Sequence, residues 1–180
     1  MRKLMVVCLA AVMMAGCVSL PKLNVGVGVS AVIPEEATLD NTYMVDAFVR
    51  LDVATIQAEL DVGWKTYDYD EDGDGLTEGE LTQTPVAATL RWVTGPAIAR
   101  LIVGGGLVWN IADVNDIGSI TVDDAVGYRA VLGVDFKIIQ DFRIAIEGIY
   151  DFSEADISGG TVPTVDSSSI IGRVSIAYNF

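Results

Sequence analysis

The residues that could carry out catalysis are few, because this 180-residue chain contains no histidine. A Ser-His-Asp triad is therefore excluded. Glu59 and Asp61 stand two residues apart with Lys65 close behind, which places all three on one face of a β-strand. Paired carboxylates can act as general acid and base. No nucleophile accompanies them, so the arrangement favours ion pairing, and we expect no enzyme activity and no catalytic residue.

A second candidate for chemistry is an acidic segment that begins Asp-Glu-Asp-Gly-Asp-Gly at Asp70. It resembles the first half of a calcium loop, in which alternate carboxylates converge on one cation. Leu81 stands at the twelfth position instead of a glutamate, and no helices are predicted beside it, so it is not an EF-hand. The alternative is a solvated acidic loop tip. As a calcium site it would bind weakly, with Kd on the order of 0.1–1 mM, and it is the one cofactor site we predict. Its ligands would be the side chains of Asp70, Asp72, Asp74 and Glu80 and the carbonyl of Leu76.

The N-terminal segment has the pattern of an export signal. Arg2 and Lys3 are followed by an apolar run over residues 4–14, which is too short to span a bilayer. We therefore predict a signal peptide over residues 1–16, a short segment over 17–22 and one domain over 23–180.

The end of this signal carries a further feature. Met14-Ala15-Gly16-Cys17 resembles the lipobox of bacterial lipoproteins, which implies lipidation of Cys17. The alternative is ordinary cleavage near Ala15. Cys8 and Cys17 both lie in or beside this segment, so the domain itself has no disulfide framework.

The rest of the chain alternates between polar and apolar residues. Residues 56–67 place Ile56, Ala58, Leu60, Val62 and Trp64 on one face and polar residues on the other. A period of two indicates a β-strand with one face toward water. Half of the chain is hydrophobic, yet no run beyond the signal reaches the ~18 apolar residues of a spanning helix. Eight such strands are predicted, at residues 23–33, 43–52, 56–67, 86–94, 97–110, 126–138, 142–152 and 170–180.

Charged residues within these strands share the polar face. A charge facing lipid costs roughly 2–4 kcal/mol at mid-bilayer, so this confinement predicts that the polar face lines the inside of a membrane barrel. Long side chains of opposite sign would then pair there. The predicted lumen network comprises Arg50, Glu59, Asp61, Lys65, Arg91, Arg100, Arg129, Asp135, Lys137, Arg143, Glu147 and Arg173.

The connections alternate between short and long. Residues 52–55, 95–96 and 139–141 are tight turns, whereas residues 34–42, 68–85, 111–125 and 153–169 are long and acidic. Short periplasmic turns and long extracellular loops are typical of outer-membrane barrels. Eleven aromatic residues fall on the apolar face near strand ends, which predicts two interfacial girdles. They are Tyr43, Trp64, Trp92, Trp109, Tyr128, Phe136, Phe142, Tyr150, Phe152, Tyr178 and Phe180.

The last strand alternates to Tyr178 and Phe180, which resembles the β-signal of outer-membrane proteins. Strand number and size resemble the OmpA/OmpX-like barrels. This resemblance implies an all-β, eight-stranded, antiparallel up-and-down transmembrane barrel in the bacterial outer membrane. It also implies contact with membrane lipid and lipopolysaccharide, and with periplasmic chaperones and the barrel-assembly machinery during biogenesis.

Three functions remain open at this stage. The first is a non-enzymatic barrel with a filled lumen and a structural or surface-interaction role, since eight strands enclose a space that side chains just fill. A narrow pore for small solutes is the second. The third is a soluble lipocalin-like barrel with the apolar face inside, because alternation alone does not distinguish inside from outside. The net charge of −14 argues against nucleic acid as a partner.

Overall fold

The computed structural model describes residues 21–35, 39–69, 79–115, 121–122, 124–158, 164–166 and 168–180. Within them no helix has the length and apolarity needed to cross a membrane. The strands are β1 (Lys22–Pro34), β2 (Thr42–Val53), β3 (Ile56–Tyr69), β4 (Gly79–Thr94), β5 (Ala99–Asn115), β6 (Thr121–Val122), β7 (Ala125–Ile139), β8 (Phe142–Phe152), β9 (Glu154–Ser158), β10 (Thr164–Asp166) and β11 (Ser169–Asn179).

Eight long strands close into a barrel in the order β1-β11-β8-β7-β5-β4-β3-β2. Every neighbouring pair is antiparallel, and β1 closes the wall against β11 from Asn24↔Asn179 to Pro34↔Ser169. Closure pairs both edges of each of these eight strands. The predicted eight-stranded up-and-down barrel is therefore confirmed.

The barrel is inverted relative to a soluble protein. Along β2 the inward residues Met44, Asp46, Phe48 and Arg50 are buried, whereas the residues between them face outward and are exposed. The outer surface is almost wholly apolar, and the buried set includes most of the charged strand residues. A soluble lipocalin-like barrel needs the opposite arrangement, so that alternative is wrong for this chain.

The short turns lie where they are predicted. Val53 pairs with Ile56 across a two-residue turn, in which Ala54 adopts a left-handed φ of 55°. Gly95 occupies the turn after β4 with φ 122°, a conformation that favours glycine. The turn between β7 and β8 consists of residues 140–141.

The strands extend further at the long-loop end than predicted. β4 begins at Gly79 rather than residue 86, and β5 runs to Asn115 rather than residue 110. The short strands β6, β9 and β10 form a separate three-stranded sheet in segments predicted as loops. Beyond the bilayer both faces of a strand meet water, so hydropathy no longer alternates and the sequence signal disappears.

One seam of the wall is interrupted. The β3–β4 register runs from Ile56↔Trp92 to Val62↔Val86 and resumes only at Lys65↔Gln83. Pro85 lies in the gap, and proline has no N–H to donate to the ladder.

Candidate functional site

The centre of the lumen is filled by a network of arginine and glutamate side chains. Glu59 accepts hydrogen bonds from Arg50, Arg91 and Arg173, the last at 3.1 Å. Glu147 accepts from Arg91 at 2.6 Å and lies 3.4 Å from both Arg50 and Arg173. These five side chains are at most 3% exposed. Two carboxylates therefore hold three guanidinium groups together on the barrel axis.

Asp46 and Phe48 complete this central layer. Asp46 accepts from Arg173. The Phe48 ring lies under two guanidinium groups, with its centroid 3.9 Å from Arg50 Cζ and 4.6 Å from Arg173 Cζ. Cation–π contacts of this kind stabilise a desolvated arginine. With Asp46 included, three cations meet three anions.

A second cluster lies nearer the long loops. Arg129 donates to Asp151 at 2.6 and 2.7 Å, a bidentate pair. It also reaches Asp61 at 2.8 and 2.9 Å. Lys65 differs from its prediction, because it makes no ion pair among the described residues. Its ammonium is buried without a hydrogen-bond partner and lies 5.2 Å from the Tyr67 ring centroid. A cross-strand neighbour of opposite sign is absent, since Met44 and Gln83 flank it.

A third cluster lies at the short-turn end. Asp135 accepts from Arg100 at 2.5 Å and from Arg143. Asp52 lies 3.6 Å from Arg100. Lys137 was also predicted to belong to the lumen network, and this is wrong. It lies at the short-turn end of β7 in register with Arg143, where it is exposed and makes no ion pair with another described residue.

Charge is balanced within each cluster. The central layer contains three arginines and three acids, the second contains Arg129 and the unpaired Lys65 beside Asp61 and Asp151, and the third contains Arg100 and Arg143 beside Asp52 and Asp135. A buried charge without a counter-charge costs several kcal/mol. The balance allows the lumen to hold fourteen charged side chains.

Glycines in the wall make room for these side chains. A Cβ at Gly28 would lie 2.6 Å from Asp46 Oδ1 and 2.8 Å from Arg173 Nε. A Cβ at Gly104 would lie 2.9 Å from Arg91 Cγ. All three distances are below ordinary van der Waals contact, so the long side chains occupy the space that a methyl group would need.

Apolar residues cover the charged layers at the long-loop end. Val32, Met44, Tyr67 and Leu81 are buried there, and Leu39 from the loop before β2 joins them at 7% exposure. This apolar cap lies above the second cluster and separates it from the loop side.

Several lumen residues are not among the predicted site residues. Asp46 and Asp151 carry the same alternation signal as their partners and could have been included. Phe48 and Tyr67 face inward, against the prediction for most aromatics, and their position in the alternation indicated it. Leu39 lies outside any strand, so no periodic signal marks it.

The predicted calcium ligands lie mostly outside the described residues. This holds for Asp70, Asp72, Asp74 and Leu76, whereas Glu80 belongs to β4. The described part of the chain contains no cluster of three or more acidic, histidine or cysteine side chains that could hold a metal ion. Cys17 and the predicted signal peptide also lie outside the described residues.

Aromatic residues decorate the outer wall near both ends, as predicted. All eleven residues of the predicted girdles are exposed, from 36% for Phe142 and Tyr150 to 75% for Tyr43. At the short-turn end the Tyr178 ring stands edge-on to Phe142 and Phe180, at centroid distances of 5.1 and 4.9 Å. Two aromatic belts on an apolar surface are typical of membrane-spanning barrels.

Comparison with known proteins agrees with this architecture. No family model and no curated protein matches the chain. Outer membrane protein OprG from Pseudomonas aeruginosa superposes with a TM-score of 0.71 at 16% identity, over 88% of this chain and 95% of that one. Neisserial surface protein A gives 0.64 at 12% identity, over 91% and 99%. Outer membrane protein W of E. coli gives 0.59 at 18% identity, over 88% and 97%.

The chain has the fold of the small outer-membrane β-barrels. The likeness extends over nearly the whole length of each of these barrels. At identities of 12–18% the likeness concerns the fold and does not extend to the side chains in the lumen.

Proposed function

We propose that this chain is a non-enzymatic barrel of the bacterial outer membrane whose lumen is closed by its own side chains. On this proposal its scaffold is inert, and its acidic extracellular loops form the interaction surface. Its surroundings would be membrane lipid and lipopolysaccharide. The barrel-assembly machinery and periplasmic chaperones would act on it only during biogenesis.

The observation that supports a closed lumen is the central charged network. Glu59 and Glu147 bind the same three arginines, which project from β2, β4 and β11. A solute crossing the barrel would have to separate these pairs, and breaking a buried ion pair costs about 3–5 kcal/mol. The apolar cap around Leu39 adds a further layer of buried, mostly apolar side chains.

The observation that supports an interaction role is the charge of the long loops. Residues 34–42, 68–85, 111–125 and 153–169 contain 17 acidic residues and no lysine or arginine. Such a surface attracts cationic partners and repels polyanions. We therefore infer that a basic protein surface or divalent cations, rather than an acidic glycan, are its natural partners.

A narrow pore is the second candidate, and the interrupted β3–β4 seam is the observation that favours it. The ladder lacks pairs between Val62↔Val86 and Lys65↔Gln83, so the wall is less constrained there than elsewhere. Where the ladder has fewer hydrogen bonds, fewer must break for the barrel wall to open locally.

Two measurements test this proposal. Membrane fractionation with an unheated gel should place a folded, heat-modifiable barrel in the outer membrane. The purified barrel in planar bilayers should show no large, steady conductance. Recovery as a soluble periplasmic protein would refute the membrane placement, and steady conductance would refute the closed lumen in favour of the pore.

A further inference from the structure

The short-turn end carries positive charge that the lumen clusters do not use. Lys22 is in register with Asp52, and Lys137 is in register with Arg143. Both lysines are exposed and, among the described residues, neither side chain makes an ion pair. The third cluster is neutral, so among the described side chains this end gains Lys22 and Lys137 against the further acid Asp141.

A cavity opens between these groups. It has a volume of about 290 Å³ and is lined by the cations Lys22, Arg100, Lys137 and Arg143 and by the acids Asp52 and Asp141, together with neutral side chains. We call it the short-turn pocket. Unlike the grooves on the apolar outer wall, it faces water at the mouth of the barrel.

Two guanidinium groups in this pocket have spare hydrogen-bonding capacity. Arg143 is 8% exposed, and its Nη2 is buried without a partner. Arg100 Nε is likewise buried, and neither of these nitrogens has a hydrogen-bond partner in the part of the chain that the structure describes. Arg100 Nη2 and Arg143 Nε donate to Asp135, Arg143 Nη1 donates to the Ala97 carbonyl at 3.3 Å, and Arg100 Nη1 lies 3.6 Å from Asp52, so both guanidinium planes are fixed in place. Unsatisfied buried donors are costly, and an acceptor of negative charge would relieve that cost.

We propose that the short-turn pocket binds a phosphate group. Phosphate suits these donors because arginine presents a planar fork of N–H groups to it and lysine adds point charge. In the outer-membrane placement proposed above, this mouth faces the periplasm. The phosphate then belongs either to a phospholipid headgroup of the inner leaflet or to a free periplasmic phosphate.

The test uses the folded full chain in non-ionic detergent, titrated separately with inorganic phosphate and with dihexanoyl phosphatidic acid. Site-resolved NMR should show saturable shifts at the Nε–H groups of Arg100 and Arg143 and at amides of residues 137–143. Saturation by phosphate alone identifies a free anion as the source, and saturation by the lipid alone identifies a headgroup. Either result supports the site.

Variants decide whether the pocket is responsible. The double substitution K22Q/K137Q should weaken binding about fivefold, since each exposed ion pair contributes modestly. The double substitution K22R/K137R should retain binding, and Asn41→Asp, which adds negative charge at the opposite end, should leave it unchanged. Both lysines are exposed, so these variants are expected to fold, and heat-dependent gel mobility verifies this. Absence of saturable shifts, or equal binding by K22Q/K137Q, would overturn the site without bearing on membrane placement, which fractionation reports separately.

Discussion

Arg129 and Asp61 lie three places apart in the barrel wall, yet Arg129 Nη1 is 2.8 Å from Asp61 Oδ1. A contact of this length across the axis is achievable only because the interior of an eight-stranded barrel is about as wide as two side chains. The pair therefore ties β7 to β3 directly, in addition to the hydrogen bonds that connect neighbouring strands.

Loss of Arg129 should destabilise the barrel more than loss of Asp61. Arg129→Met removes the cation to which the buried Asp61 and Asp151 are hydrogen-bonded, which costs about 3–5 kcal/mol in the free energy of unfolding. Asp61→Asn leaves the Arg129–Asp151 pair intact and should cost about 1–3 kcal/mol. Urea unfolding from lipid vesicles measures both. Lys137→Met, at an exposed position, is the control and should stay within about 0.5 kcal/mol of the native chain.

Gly104→Ala should destabilise the barrel, because the added methyl group would lie 2.7 Å from Leu90 O and 2.9 Å from Arg91 Cγ. Overpacking of this kind costs about 1–3 kcal/mol. Gly172→Ala is the matched control, since nothing lies within 4 Å of a Cβ there. Equal stability of the two variants in urea would contradict the role of Gly104 as space for Arg91.

Ala54→Gly should stabilise the β2–β3 turn, because a left-handed conformation costs a non-glycine residue roughly 1 kcal/mol. Thr55→Gly, one residue later, should lose about 0.5–1 kcal/mol through the flexibility of glycine. Opposite signs for two neighbouring substitutions are expected in the same unfolding experiment. A loss of stability for Ala54→Gly would contradict the prediction that the left-handed conformation of Ala54 destabilises this turn.

Phe180→Ala should lower the amount of folded barrel in cells, as the β-signal resemblance implies. Its ring contacts Tyr178, which in turn contacts Phe142. Phe152→Ala, in the opposite girdle, is the control and should give a normal yield on an unheated gel. Refolding of both variants into vesicles without assembly proteins should be equally efficient. A defect that appears only in vesicles would assign Phe180 a packing role instead.

Asp72→Ala and Asp74→Ala should abolish a weak calcium site in the acidic loop, because they remove carboxylates from alternate positions of the Asp-x-Asp-x-Asp-Gly pattern. Glu71→Ala removes the same charge from an intervening position and should leave binding unchanged. Calorimetric titration of calcium into the folded barrel distinguishes the two cases. Equal weakening by all three substitutions would indicate a diffuse attraction to an acidic loop.

Much of this architecture could be predicted from alternation. Strand number, the short turns and the side of the wall that holds the charges follow from a period of two combined with the cost of a charge in lipid. The alternation also fixes which face Asp46, Arg50 and Phe48 share. It contains no information on which cation meets which acid, because that depends on strand tilt and on contacts across the axis.

Lys65 and Lys137 illustrate this limit. Both stand on the polar face in the sequence, and both were predicted to pair. The first has only neutral cross-strand neighbours, Met44 and Gln83, and the second lies at the end of β7 in register with Arg143, a residue of the same charge. The ends of β4 and β5 were underestimated for a related reason, since the bilayer no longer enforces alternation there.

The balance of charge within each lumen layer has a consequence for ion selectivity. A neutral constriction attracts neither anions nor cations. A substitution that widens it by removing one charged side chain also leaves a net charge, and that charge determines which ions it prefers. Replacing Glu59 or Glu147 by alanine leaves a surplus of guanidinium, and any current that results should be carried by anions. Replacing Arg91 by alanine leaves a surplus of carboxylate, and the current should be carried by cations. In this barrel, the choice of one substituted side chain would therefore decide whether the opened lumen selects anions or cations.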